Sequence, residues 1–196
     1  MSRSASRSRS TKETSIAITV ELDGTGTTAV STGIPFYDHM LDQLGRHGGF
    51  DLSIAAEGDL HIDTHHTVED VAITLGETFR EALGNKVGVR RFASGQFPLD
   101  EALVEVALDL SGRPFVVWDV PMPDSLPLGN PAFDPQLAEH AVSSFATAAG
   151  ITLHVTLKHG RNAHHIIEAT FKGLARCLRD AVRVEGVSLP STKGML

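Results

Sequence analysis

Two stretches of the chain alternate apolar with polar or small residues: Ile16, Ile18, Val20 and Leu22, and Val104, Val106, Leu108 and Leu110. Period two predicts strands with one buried face. Each runs into a glycine, Gly24 or Gly112, and then a second strand-like stretch, which predicts a hairpin. A helical pattern follows in both places: Asp38-His39-Met40-Leu41 with Leu44, ending at Gly48-Gly49, and Glu139-His140-Ala141-Val142 with Phe145, ending at Gly150. Glycine just past the last periodic residue is the expected stop. Strands come next, at Phe50, Leu52, Ile54 and at Ile151, Leu153, Val155. The last elements are long amphipathic helices. Val68, Ala72, Leu75, Phe79, Ala82 and Leu83 match Ile167, Phe171, Leu174, Leu178, Ala181 and Val182 at a constant offset of 99.

The order strand, turn, helix, strand, helix is thus written twice, which reads as an internal duplication. The offset grows from 88 at the first strands to 101 at the first helices, so the second half gains residues between them. The Pro/Gly-rich stretch 121–135 is where they fit. One half alone would leave a sheet face bare, and two halves can cover each other. The expected fold is an α/β (α+β) sandwich of duplicated halves, each a mixed sheet of about four strands packed with two helices. Residues 11–92 form the first half and 93–196 the second, joined in one catalytic domain. Residues 1–10, largely alternating Ser and Arg, offer nothing to bury and are expected to be a disordered tail.

Charge and cysteine content narrow the classes. Lys and Arg total 17 against 24 Asp and Glu, a net charge of −7, and the opening dozen residues hold four of the cations and no acid. The body is therefore more acidic than the whole and does not attract a polyanion by its field. Neither nucleic acid nor membrane is expected as a partner. The single cysteine, Cys177, excludes an intrachain disulfide. No apolar run has the length of a membrane span, and the opening segment lacks the apolar core of a secretory signal. A cytoplasmic protein is expected.

Ten histidines stand out in this composition, and six of them repeat. His39, His65, His66 and Glu69 in the first half match His140, His164, His165 and Glu168 in the second. On a helix, positions i and i+4 share a face, so His65 can chelate with Glu69 and His164 with Glu168. Adjacent histidines diverge by about 100° around the axis, so each pair should feed two different sites. Two ions are expected, each taking ligands from both halves. If one chain holds its pairs apart, the ligands must come from neighbouring subunits. Imidazole with carboxylate suits Mn, Fe, Co or Zn, and many ligands per ion favour an octahedral metal such as Mn. His47, His61, His154 and His159 lack matched counterparts and read as ordinary residues.

Carboxylates near strand starts, at Glu13 and at Asp100-Glu101, are candidates for proton transfer. Arg90-Arg91, Arg113, Lys172 and the Ser191-Thr192-Lys193 run supply the charge and donors that a phosphate needs. No glycine-rich nucleotide loop is present, so any phosphate belongs to a small substrate. Three other classes fit parts of this pattern: a dinuclear hydrolase or isomerase, a non-enzymatic metal-binding shell, and a nucleic-acid module built on the Ser/Arg arm.

Several ordered motifs resemble one family. They are Asp38-His39-Met40-Leu41-Asp42-Gln43; Asp63-Thr64-His65-His66-Thr67 with Glu69-Asp70; Leu99-Asp100-Glu101-Ala102; Leu110-Ser111-Gly112-Arg113-Pro114; Asn162-Ala163-His164-His165-Ile166-Ile167-Glu168-Ala169; and Pro190-Ser191-Thr192-Lys193-Gly194. From Thr11 to Leu196 the chain resembles the imidazoleglycerol-phosphate dehydratases of histidine biosynthesis. The resemblance implies two Mn(2+) per active site and trimers assembled into a 24-subunit shell with active sites at subunit junctions. It implies His39, His65, His66, Glu69, His140, His164, His165 and Glu168 as metal ligands. Gln43, Arg91, Arg113, Lys172, Ser191 and Lys193 are the implied phosphate grip, with Glu13 also touching substrate. Glu13, Glu168, Asp100 and His66 are the implied catalytic groups. The implied reaction dehydrates D-erythro-imidazole-glycerol phosphate to imidazole-acetol phosphate through a metal-bound imidazolate and a diazafulvene. No fused phosphatase domain is expected.

Overall fold

In the computed structural model, residues 3–194 and 196 are described; Met1 and Ser2 of the expected tail and Met195 of the second half lie outside the described residues. The first half runs β1 (Ser4–Ser10), β2 (Thr14–Glu21), β3 (Thr28–Ser31), α1 (Pro35–Gly48), β4 (Asp51–Gly58), α2 (His65–Leu83). The second repeats it as β5 (Phe92–Leu99), β6 (Ala102–Asp109), β7 (Phe115–Asp119), α3 (Leu137–Ala149), β8 (Thr152–His159), α4 (Ala163–Ala181). Each half builds one four-stranded mixed sheet, in the orders β1-β2-β4-β3 and β5-β6-β8-β7. The two sheets are outer layers with the four helices between them. α1 and α2 lie against the first sheet, α3 and α4 against the second, while α1 packs on α4 and α2 on α3.

The alternation seen in the sequence is the burial pattern. Ile16, Ile18, Val20 and Leu22, and their counterparts Val104, Val106, Leu108 and Leu110, are all buried. Gly49 and Gly150 end α1 and α3 in the left-handed region at φ 70°, where a side chain would be strained.

Two expectations are overturned. Residues 4–10 are not a disordered tail: they form β1, paired antiparallel with β2 from Ser4–Glu21 to Ser10–Ser15. Alternation explains this. The serines face outward, and Ala5, Arg7 and Arg9 turn inward toward α2. The arginine stems cover the helix, while their heads pair with Glu77, Glu81 and the nearly buried Asp70. In the second half the corresponding strand fills that space with Ala93, Gly95 and Phe97. The hairpins expected after Gly24 and Gly112 are also absent. β4 inserts between β2 and β3, and β3 joins its far edge in parallel. The Asp51 carboxylate steers this path by accepting the amide N–H groups of Thr25 and Thr27, which carries the loop past the start of β4. The tight hairpins are β1–β2 and β5–β6, and the repeat therefore begins inside the stretch read as a tail.

Residues 183–188, after α4, also have a fixed course. They lie along the linker between the halves, where the Arg90 N–H donates to Arg183 O, the Glu185 N–H to Gly88 O and the Gly88 N–H to Ser188 O. Residues 121–135, assigned no role by sequence, send Phe133 into the core, where it packs on Phe36 and Tyr37. Among the described residues, no helix is long and apolar enough to cross a membrane.

The halves approach closely where Gly76 of α2 meets α3. A Cβ there would lie 2.5 Å from Phe145 O and 2.8 Å from the Ala148 Cβ. An exposed helical Gly→Ala change gains about 1 kcal/mol. Gly76→Ala is instead expected to destabilise by about 1–3 kcal/mol through overpacking. Thermal unfolding checks this, and a raised melting temperature would mean that the helices are not in this contact.

Candidate metal centre and surrounding groups

Each long helix begins on a side chain that orders its histidine pair. The Asn162 side chain accepts the N–H groups of His164 and His165 at the start of α4. The Asp63 carboxylate accepts the N–H of His65 at the start of α2. In both pairs the adjacent rings stand nearly perpendicular, 84° apart in the first and 79° in the second. The two members of each pair consequently point to different places.

Six of the eight repeated residues converge in two clusters. His39 from α1 meets His164 and Glu168 from α4, and His140 from α3 meets His65 and Glu69 from α2. Each cluster draws on both halves of the chain. The His164 Nε2 lies 3.0 Å from Glu168 Oε2, and the His39 Nε2 lies 3.4 Å from the same oxygen. In the second cluster the His140 Nε2 is 3.3 Å from Glu69 Oε1. Two ligands at right angles about an ion, each bonded at about 2.1 Å, stand roughly 3 Å apart. The separations therefore fit a divalent ion as well as they fit hydrogen bonds. One observation favours the ion: the His140 Nε2 is buried, faces Glu69, and makes no hydrogen bond. A mixed imidazole and carboxylate set suits a first-row divalent metal.

His66 and His165 belong to neither cluster. The His66 Nδ1 is 2.9 Å from Asp59 Oδ2 and 4.0 Å from Glu13 Oε2. The His165 Nδ1 is 2.7 Å from Glu101 Oε2, and its Nε2 is 3.6 Å from Asp100 Oδ2. Glu13 and Asp100, the sequence candidates for proton transfer, are largely exposed beside these rings. Asp100 sits at φ 47° in the two-residue turn between β5 and β6. The clamping carboxylates are less legible. Glu101 reads in sequence only as half of an acidic pair, and Asp59 was missed altogether because its repeat position is Gly160.

Charges at the first cluster are coupled. Burial pushes the Glu168 carboxyl up, but the Lys172 ammonium at 2.6 Å and hydrogen bonds with His164 and His39 outweigh it, so Glu168 ionises below the usual carboxylate value. The hydrogen bond from His165, then the backbone amides of Arg161 and Asn162, hold Glu101 down to about 2. His66 is raised, chiefly by its bond with Asp59. Gln43 bridges His39 and His47, at 3.4 Å and 3.1 Å, so unmatched His47 lines this site after all.

The expected phosphate grip divides into two groups. Gln43 and Lys172 lie beside the His39 cluster. Arg91 instead binds Asp109 with two nitrogens and donates a third hydrogen bond to Pro190 O, holding the segment that carries Ser191 and Lys193. Arg113 lies in the turn after Ser111, whose carbonyl it contacts. The backbone N–H of Arg91 donates to Ala181 O, at the C-terminal end of α4. His164 and His165 are at the other end of that 19-residue helix, about 25 Å away at 1.5 Å per residue.

Fold and site together define a duplicated α+β protein with two histidine–glutamate clusters built across its halves. Known proteins of this kind match it throughout. The family model described as imidazoleglycerol-phosphate dehydratase matches residues 32–178. The imidazoleglycerol-phosphate dehydratase of Acidothermus cellulolyticus is 54% identical, over 99% of this chain and 93% of that one. That of a Parafrankia species is 54% identical, with both chains fully covered. A crystal structure of the Pyrococcus furiosus protein in complex with (S)-C348 superposes with a TM-score of 0.81 at 38% identity, covering 97% of this chain and all of that one. The Staphylococcus aureus dehydratase gives the same TM-score at 30% identity, over 94% and 99%. The chain belongs to the imidazoleglycerol-phosphate dehydratase family.

The His66 environment gives a pH prediction. A histidine raised in the fold contributes stability below its ordinary value of about 6.5 that is lost as pH rises through the raised value. In metal-free protein the His66 resonance is therefore expected to titrate above 6.5 by NMR, and Asp59→Asn to bring it down. Titration at or below 6.5 in the unsubstituted chain would mean that the Asp59 bond is not made.

Proposed function

We propose that this chain removes water from D-erythro-imidazole-glycerol phosphate to give imidazole-acetol phosphate, a step of histidine biosynthesis in the cytoplasm. Two Mn(2+) serve each active site. The observation that carries this reading is the pair of His/Glu clusters, drawn from both halves of a chain that shares 54% identity with dehydratases of this name. His39, His164 and Glu168 would hold one ion, and His65, Glu69 and His140 the other. His66 and His165, directed elsewhere, would complete clusters on other copies of the chain.

The substrate proton to be lost sits on a carbon beside the imidazole ring, with no carbonyl to stabilise the negative charge. A bound divalent ion supplies a Lewis acid that makes the ring an electron sink. The protein must take one proton and give another to the departing hydroxyl. Glu168 is committed to Lys172, His164 and His39, which suits a ligand more than a mobile base. Glu13 and Asp100 are exposed and stand beside His66 and His165, so they are assigned the proton transfers. Ser191, Lys193, Arg113 and Lys172 grip the phosphate, while Arg91 fixes the segment carrying Ser191 and Lys193.

The length of α4 supports shared sites. The Arg91 group and the histidines flank opposite ends of that helix, too far apart for one small substrate to touch both. Sites at junctions between copies resolve this, and a 24-subunit shell built from trimers is the assembly we assign.

Turnover tests the reading. Purified protein given imidazoleglycerol phosphate and Mn(2+) is expected to form the acetol phosphate without releasing inorganic phosphate, and to stop when metal is stripped. Phosphate release would instead identify a hydrolase, and undiminished turnover in stripped protein would exclude the metal role. Glu13→Gln should keep the metal and the solution mass but lose about 10²–10⁴-fold in kcat. Full activity would remove Glu13 from proton transfer. Lys193→Ala is expected to raise KM with kcat largely kept, and an unchanged KM would take Lys193 out of the phosphate grip.

A further inference from the structure

Beside each helix start the structure holds two carboxylates of different standing. One is clamped to a histidine Nδ1 at hydrogen-bond distance, and the other is exposed and stands farther from the same ring. In the first half Asp59 takes the His66 Nδ1 at 2.9 Å and leaves Glu13 at 4.0 Å. In the second half Glu101 takes the His165 Nδ1 at 2.7 Å, and Asp100 stands 3.6 Å from the Nε2 on the ring's other side. The Glu101 clamp is held by backbone amides, and the Asp59 clamp by burial and its turn. Glu101 Oε1 accepts the N–H groups of Arg161 and Asn162. Asp59 starts a turn closed by the Ile62 N–H, and its side chain is mostly buried, with Oδ1 enclosed.

The two halves reach this arrangement by different routes. The repeat counterpart of Glu101 is Glu13, whereas Asp59 stands where the second half has Gly160. The sequence duplication therefore does not carry the clamp, yet both halves have one on the same ring nitrogen. A carboxylate on Nδ1 keeps the proton there, fixes the ring direction and leaves Nε2 as the basic nitrogen.

We infer that Asp59 and Glu101 are positioning residues that fix the tautomer and direction of His66 and His165, so that each Nε2 ligates a metal ion held by another copy of the chain. This rests on the reading that those two histidines are ligands. It also separates the acids by role, with Asp59 and Glu101 orienting rings and Glu13 and Asp100 left to exchange protons.

Mn(2+) affinity, measured on the purified protein by titration and by the Mn(2+) spin-resonance signal, tests this. Asp59→Ala and Glu101→Ala are expected to weaken binding by about 10- to 100-fold. Asp59→Asn and Glu101→Gln, which still present an acceptor oxygen, should recover most of it. In a His66→Ala background Asp59→Ala should add no further loss, since the two act through one ring. Affinity unchanged in the alanine variants, or an equal loss in the His66→Ala background, would overturn the inference. Unchanged affinity in His66→Ala alone would overturn the ligand reading beneath it instead. Glu101 lies on an exposed turn, so its variants carry the test if Asp59→Ala fails to fold.

Discussion

The packing of each half's helices on the other half's is the constraint on which the chemistry depends. α1 lies on α4 and α2 on α3, and each cluster is assembled across one of these contacts. His39 reaches Glu168 only across the first of these contacts, and His140 reaches Glu69 only across the second. The close approach at Gly76 holds the second pair at a distance that a single methyl group would alter. Covering a bare sheet face and assembling two ligand sets are thus satisfied by the same helix contacts.

The ends of the helices divide the labour. Their N-termini carry the histidines, ordered by Asn162 and Asp63. The far end of α4 meets the linker and the C-terminal segment, which Arg91 ties down through Asp109 and Pro190. The span of one helix separates the groups suited to a metal from several of those suited to a phosphate. On the proposed reading, a substrate that needs both kinds of group would be met by more than one copy of the chain.

Most of the architecture was legible because the apolar faces are strict. Ile16 to Leu22 and Val104 to Leu110 alternate without a break, and the late helices keep one offset over six positions. β1 was illegible for the opposite reason: two of its three inward positions are Arg7 and Arg9, whose stems and Nε atoms are covered although composition counts them as charge. The strand order was hidden because β3 is only four residues long and its parallel partner, β4, lies 20 residues further on. At the site, the repeat exposed the six His and Glu residues that converge in two clusters. It could not expose Asp59, which has no counterpart, or the bridge from His47 through Gln43 to His39. Arg91 read in sequence as part of a phosphate grip, and its partners Asp109 and Pro190 O are contacts that only folding creates.

Diffraction from crystals of the Mn(2+)-loaded protein, collected at an energy where manganese scatters anomalously, tests the central claim most directly. Two peaks per chain are expected, each about 2.1 Å from the three donors of one His/Glu cluster and from a His66 or His165 Nε2 of another copy. Peaks elsewhere, or peaks at these clusters with His66 and His165 left facing solvent, would contradict it.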